Sequence, residues 1–207
     1  KKKRVLLYGG TFNPIHNGHL YPISQVINIL DFDKVVYIPC FVSPHKDQPE
    51  LTAQQRVELT NLAVNSIEFN CEVCVSDYEA LRDEPSFTIN TIKHFMSVYS
   101  DASLFIAIGF DSLLNLSKWY QWEEILDLVN IVVVARKNAE SSVDKLPLKI
   151  KQSLGTRIHI LETELFEVSS TDIRARLSQS SIADKELTQI MPLPVLSYLI
   201  QNNPYQS

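Results

Sequence analysis

The sequence predicts an α/β fold, a doubly wound parallel sheet with helices on both faces and a C-terminal helical segment. Three observations predict it. Strand-like and helix-like stretches alternate along the 207 residues; two strand-like runs, Leu104-Phe105-Ile106-Ala107-Ile108 and Ile131-Val132-Val133-Val134-Ala135, are apolar at every position; and the first strand enters the first helix through a turn carrying glycines and histidines. A strand that is apolar at every position is covered on both faces, as in a parallel sheet between two helical layers; a half-solvated strand would alternate.

Strand character falls at residues 5–8, 34–39, 72–76, 104–108, 131–135 and 157–161, and helical apolar spacing at 18–30, 53–67, 88–99, 121–128, 170–179 and 193–202. Thr52 is placed to cap the second helix. With no repeat, low-complexity tract or long linker, residues 1–207 are expected to form a single domain whose helical end spans about 170–207. The polar, aperiodic stretch 138–149 is expected to be a mobile surface segment.

The first strand, within Arg4-Val5-Leu6-Leu7-Tyr8, is followed by Gly9-Gly10-Thr11-Phe12-Asn13-Pro14-Ile15-His16-Asn17-Gly18-His19. Gly9 and Gly10 permit close approach of backbone N–H groups to a ligand, and Gly18 with His19 opens a helix whose unpaired N–H groups and dipole favour an anion. His16 and His19 can both turn ring N–H groups toward a phosphate there. In the common doubly wound order the first and fourth strands are neighbours and open a crevice at their carboxyl ends. This turn and Gly109-Phe110-Asp111-Ser112, at the end of the fourth strand, would then face the same cleft.

The net charge of -5 leaves no footprint for duplex nucleic acid or an anionic membrane, so neither is expected as a partner. No apolar run reaches spanning length, and Lys1-Lys2-Lys3-Arg4 leads into a strand without the apolar region of a signal peptide, which suggests a cytoplasmic protein. The three cysteines agree with a reducing compartment; Cys71-Glu72-Val73-Cys74 lies in a strand, where positions three apart face opposite ways, so core packing is expected and not a metal or redox pair.

Among chemistries for such a cleft, a dinucleotide-dependent oxidoreductase lacks its G-x-G-x-x-G pattern, and the second strand ends in Pro39-Cys40 where an acidic ribose ligand would stand. A Walker-type phosphate loop is also absent. Cationic and helix-end features fit a phosphate better: Pro44-His45-Lys46 after the second strand, and Val168-Ser169-Ser170-Thr171-Asp172-Ile173-Arg174 at a late helix start. Lys46 has a plain alternative as a solvated loop lysine, and Ser169 with Asp172 as an ordinary capping box. His94, mid-helix, and His159, in a strand, are expected to be structural or surface groups.

The turn G-G-T-F-N-P-I-H-N-G-H, paired with V-S-S-T-D-I-R, resembles the Rossmann-like nucleotidyltransferase superfamily with H-x-G-H and S-S-T-x-x-R motifs. Within it the chain is similar to the bacterial nicotinate-nucleotide adenylyltransferases, through Ser43-Pro44-His45-Lys46, Pro85-Ser86-Phe87-Thr88, Gly109-Phe110-Asp111, Trp119-Tyr120-Gln121-Trp122-Glu123 and Leu193-Pro194-Val195-Leu196-Ser197-Tyr198-Leu199. Asn13 stands where many members carry Asp, Ser43 where proline is frequent, and Phe87 where Tyr is common.

The resemblance implies transfer of AMP from ATP to nicotinate mononucleotide. The nucleophile is already an anionic phosphate, so positioning and charge neutralisation suffice. His16, His19, Lys46 and Arg174 are the implied catalytic groups, with His19 donating to the α-phosphoryl oxygen. Gly9, Gly10, Thr11, Phe12, Gly18, Ser170 and Thr171 would bind ATP phosphates. Phe87, Thr88, Gly109, Asp111, Trp119 and Tyr120 would hold the nicotinate nucleotide, with Trp119 against the pyridine ring or simply in the core, and Asp111 on a ribose hydroxyl or simply capping the segment after it. Magnesium would arrive with ATP, held mainly by phosphates and water. A zinc site from His16, His19 and His45 is set aside, because the first two already have a phosphate role and nothing in the sequence holds their second nitrogens. Two other readings stand beside the leading one: an adenylyltransferase acting on phosphopantetheine, and a non-catalytic nucleotide sensor. A monomer or small homo-oligomer is expected.

Overall fold

The structure, a computed structural model, describes residues 2–41, 48–82, 84–135, 143–164, 168–179, 186–202 and 204–205. The strands are β1 (Lys3–Gly10), β2 (Lys34–Pro39), β3 (Glu72–Val75), β4 (Ala102–Gly109), β5 (Asn130–Ala135) and β6 (Ile158–Glu162). The helices are α1 (Asn17–Leu30), α2 (Ala53–Val64), α3 (Thr88–Val98), α4 (Phe110–Leu114), α5 (Trp122–Leu128), α6 (Leu148–Ser153), α7 (Ser170–Ser178), α8 (Leu187–Ile190) and α9 (Leu193–Asn202), with a 3-10 turn over Leu116–Lys118 between α4 and α5. All strand pairs are parallel, in the order β3-β2-β1-β4-β5-β6.

Side-chain alternation along the strands divides the interior into two layers. Leu6, Phe105, Ala107 and Val132 face a core closed by α1, α2, α7 and α9 through Leu20, Ile23, Leu59, Ile173 and Val195. Val5, Leu7, Ile106, Ile131 and Val133 face the other, closed by α3, α5 and α6 through Ile92, Ile125 and Ile150. The continuous apolar runs are therefore buried on both sides. Cys71 and Cys74 lie at the margins of opposite layers, as a three-residue separation at a strand requires.

The register opens the cleft. β1 pairs with β4 from Lys3↔Ala102 to Leu7↔Ile106, whereas β1 stays with β2 as far as Gly10↔Pro39 and β4 with β5 as far as Gly109↔Val134. The central strands thus part over their last three residues, and each still leans on its outer neighbour. β1 is longer than its apolar run because the ladder continues through Gly9 and Gly10, which no side-chain pattern reports.

Local signals set most helix limits. Thr52 caps α2, accepting from Gln55 N–H at 3.1 Å while Gln55 Oε1 accepts from Thr52 N–H at 2.9 Å. Asp31, in the left-handed region at φ 55°, ends α1 with its N–H on Ile27 O. The helices α4, α6 and α8 were not expected; each is six residues or fewer, too short to show a period. Of the stretch expected to be mobile, residues 138–142 lie outside the described residues; the remainder instead buries Leu146 in the second core layer and starts α6. Among the described residues no helix is long and apolar enough to cross a membrane.

Ile131, fully buried, sits between Ile106 and Ile158 across the sheet. Its replacement by alanine is expected to lower stability by about 2–5 kcal/mol in urea unfolding. Leu148→Ala, at an exposed position, should change it by less than about 0.5 kcal/mol.

Candidate active site

His16 and His19 fold into the helix start itself. His16 is the N-cap of α1, its Nδ1 accepting from Gly18 N–H at 3.0 Å, and His16 N–H in turn donates to His19 Nδ1 at 3.2 Å. This is a capping box in which both side-chain members are imidazoles. A ring nitrogen that accepts from an amide carries no hydrogen, so in each ring the hydrogen is on Nε2. The rings stack with centroids 3.8 Å apart. A Cβ on Gly18 would come within 2.9 Å of the His16 ring, so glycine here is required by the ring and not by backbone conformation.

The second nitrogens are thus held, by amides, which corrects the expectation that nothing holds them. It also strengthens the case against zinc: a metal on Nε2 would move the hydrogen to Nδ1, directly against a backbone N–H. Among the described residues no group of three or more His, Cys, Asp or Glu is arranged to hold a metal ion. His45, with Lys46, lies outside the described residues.

Beneath the pair, Tyr37 of β2 is fully buried and donates its hydroxyl to His19 O at 3.0 Å. Phe12 packs edge-on to the His19 ring and to Tyr8. Its backbone is in the left-handed region at φ 49°, uncommon for an aromatic residue. Gly10 is needed for the same ring, since a Cβ there would lie 2.7 Å from Phe12 Cε1. Gly9 carries no such constraint.

The start of α7, which carries Ser170, Thr171 and Arg174, docks on this turn through the turn's own carbonyls. Ser169 caps the helix by accepting from Asp172 N–H at 3.1 Å. Ser170 Oγ donates to Pro14 O at 3.0 Å, and Arg174 Nη1 to Asn13 O at 2.9 Å. Arg174 Nη2 reaches Thr171 Oγ1 at 3.4 Å, and its Nε pairs with Glu50 at 3.3 Å. Asn13 is the hub: Nδ2 donates to Glu50 Oε2 at 2.6 Å, and Oδ1 accepts from Tyr205 OH at 3.3 Å and Leu51 N–H at 3.4 Å. Burial alone would raise the Glu50 carboxyl, yet the Asn13 amide, its own backbone N–H and Arg174 hold it below its ordinary value.

Two residues of this framework were not anticipated. Arg56 is buried and donates to Thr11 O, Phe41 O and Leu51 O. Glu79 is a buried carboxyl that accepts from Thr91 Oγ1 in the first turn of α3 and from Ser86, and burial raises its pKa despite those bonds. Neither has a sequence signal, because their partners are carbonyls and hydroxyls of distant segments.

On the far side of the crevice, Gly109 caps α4 and Asp111 lies exposed in its first turn. The N-cap role considered for Asp111 therefore belongs to Gly109. Trp119 closes the 3-10 turn, its N–H on Leu116 O at 3.0 Å, and packs half-buried on the second core layer. Phe87 and Tyr120 are the exposed aromatics there, with ring centroids 5.4 Å apart. Phe87 is also the residue before α3, whose first residue is Thr88. His94 stacks on Tyr78 with centroids 3.7 Å apart, and His159 of β6 lies opposite Val132 of β5.

A doubly wound sheet parted between β1 and β4, with a histidine capping box at the opening and an arginine-bearing helix docked on it, fits the nucleotidyltransferase class. The Cytidylyltransferase-like family matches residues 7–176. Curated relatives include a probable nicotinate-nucleotide adenylyltransferase of Idiomarina loihiensis, 31% identical over 96% of this chain and 98% of that protein, and one of the same description from Yersinia pestis, 36% identical over 88% of each. The chain belongs to the nicotinate-nucleotide adenylyltransferase family. Its fold is that of a Plasmodium falciparum nicotinic acid mononucleotide adenylyltransferase complexed with NaAD (TM-score 0.78, 16% identity, 98% of this chain and 97% of that one). A putative nicotinate-nucleotide adenylyltransferase of Vibrio parahaemolyticus also shares it (TM-score 0.67, 21% identity, 99% of this chain and 96% of that one).

Burial lowers the His16 imidazole from its ordinary 6.5 to about 4, so the folded chain keeps it neutral where the unfolded chain would protonate it. Its contribution to stability is therefore whole above pH 6.5 and is lost as the pH falls toward about 4, by an amount on the order of 3 kcal/mol. His16→Asn retains a capping acceptor and does not titrate. It should flatten the dependence of urea-unfolding free energy on pH in that window; an unaltered slope would contradict a neutral, buried His16.

Proposed function

We propose that the chain transfers AMP from ATP to the phosphate of nicotinate mononucleotide, giving nicotinate adenine dinucleotide and pyrophosphate, by direct in-line attack without a covalent intermediate. The observation that carries the reading is the His16–His19 box at the parting of β1 and β4. Two imidazoles held as Nε2–H donors, stacked at a helix N-terminus, suit an oxygen on which negative charge grows. The names of the relatives supply the pyridine nucleotide.

In this mechanism the nucleophilic phosphate needs no base, so catalysis is positioning and neutralisation. His19 donates to the α-phosphoryl oxygen in the transition state and His16 to the adjoining phosphates. The backbone N–H groups about Thr11 and Phe12 line the phosphate path, with Gly9 leaving room and Gly10 and Gly18 admitting the Phe12 and His16 rings that shape it. Arg174, Ser170 and Thr171 steady the β- and γ-phosphates that depart as pyrophosphate, with Lys46 in the same role. Arg174 is only partly buried and already bonded to the turn, so a phosphate at Asn13 would meet a guanidinium fixed in place. Magnesium would neutralise charge on the ATP phosphates and come bound to them; the turn and α7 offer N–H and O–H donors suited to phosphate oxygens, and the Glu50 carboxylate beside them is paired with Arg174.

The nicotinate nucleotide is assigned to the opposite wall. Phe87 and Tyr120 offer an exposed aromatic pair, and Trp119 a half-buried indole beside it. Thr88, in the first turn of α3, presents backbone N–H groups to the pyridine carboxylate, and Asp111 with Gly109 faces the ribose.

Two experiments test the reading. Pyrophosphate release with ATP is expected with nicotinate mononucleotide and to be much weaker with nicotinamide mononucleotide or phosphopantetheine; no release with any of them would favour a nucleotide sensor. His19→Ala should fold and lose at least about two to three powers of ten in kcat, the usual cost of a transition-state donor. A variant with near-normal turnover would remove His19 from the mechanism.

A further inference from the structure

Arg56 sits in the first turn of α2, where the Thr52 and Gln55 capping box fixes the helix start. Its side chain is 1% exposed, and its three nitrogens bond three backbone carbonyls from separate segments: Nη1 to Thr11 O at 2.8 Å, Nη2 to Phe41 O at 2.7 Å and Nε to Leu51 O at 3.3 Å. Burying a guanidinium is costly, and carbonyls repay less of that cost than a carboxylate would. Packing alone would be met by an apolar side chain of similar volume.

The bond to Thr11 O has a consequence beyond packing. Thr11 C=O and Phe12 N–H belong to one trans peptide, in which the two groups point opposite ways. With the carbonyl directed at the buried guanidinium, the Phe12 N–H is directed away from it. A cation on the carbonyl also draws electron density through the peptide and makes that N–H a stronger donor. The same residue has the strained φ of 49°, a conformation that persists only where its surroundings hold it. Arg56 holds the peptide on one side, and the Phe12 ring, wedged over Gly10 between Tyr8 and His19, holds it on the other.

We propose that Arg56 is a positioning residue of the reaction: it aims and polarises the Thr11–Phe12 peptide so that the Phe12 N–H serves as a phosphate donor, and it ties that peptide to the exit of β2 at Phe41. The proposal rests on the adenylyl-transfer reading. Lysine retains the charge but not the fork that bridges Thr11 and Phe41.

The test is Arg56→Lys, followed by thermal unfolding, steady-state kinetics and the amide resonance of Phe12. Unfolding should remain cooperative, the KM for nicotinate mononucleotide should stay within about twofold, and kcat should fall at least about tenfold. The Phe12 amide proton should move upfield while amides of β6 stay in place. A kcat within twofold of wild type, or an unmoved Phe12 amide, would overturn the proposal. If the variant fails to fold, wild-type protein titrated with magnesium-ATP alone decides it: the Phe12 amide is expected to shift strongly, and no shift would refute the role. Failure of the adenylyl-transfer reading would show separately, as wild-type protein that releases no pyrophosphate.

Discussion

At the start of α1, each histidine gives its Nδ1 to a backbone amide, His16 to Gly18 and His19 to His16. These two bonds satisfy amides that a helix start would otherwise leave orphaned, and they also decide what the rings can do. With Nδ1 committed, each ring has its hydrogen on Nε2 and can donate it to an oxygen, and the buried His16 does so without a charge that burial would penalise. In the proposed reaction, capping and chemistry are the same interaction, which would account for histidine standing where Ser, Thr, Asp or Asn makes an ordinary cap. The arrangement needs Gly18 for the His16 ring and the Tyr37 hydroxyl for the His19 carbonyl.

The remaining framework serves to keep that helix start and the turn before it in one place. Arg56 of α2 holds Thr11, while Arg174 and Ser170 of α7 hold Asn13 and Pro14, so three carbonyls of the turn are tied to two separate helices. Asn13 gathers Glu50, Leu51 and Tyr205 onto the same point. Every one of these partners comes from outside the turn. A loop at the mouth of a cleft is thereby tied at several points to the segments around it, which suits a mechanism based on positioning.

The fold was legible because its signals are local and periodic: the runs at 104–108 and 131–135 could be covered only on both faces, and the strand-to-helix turn carried its glycines and histidines in plain order. The late helix at Ser170 was legible as a cap, and its pairing with the turn as a motif resemblance. The exact bonds were not. Arg56 lies in Gln54-Gln55-Arg56, which looks like a solvated face, and its acceptors are backbone carbonyls 45, 15 and 5 residues away. Glu79 and Tyr205 are hidden in the same way, since a carbonyl or hydroxyl partner leaves no trace in residue type. The pairing of Phe87 with Tyr120, and the half-buried state of Trp119, depend on how the 3-10 turn after α4 is set, and that turn is too short to be periodic.

The central claim is that the backbone at the start of α1 fixes both histidines as Nε2–H tautomers. Nitrogen-15 NMR of the imidazoles of His16 and His19 at neutral pH measures this directly, through the separate shifts of Nδ1 and Nε2. The account predicts, for both residues, an unprotonated Nδ1 and a protonated Nε2 in the protein free of nucleotide. A protonated Nδ1 in either ring would contradict it, because the capping box and the donor geometry would then both be lost.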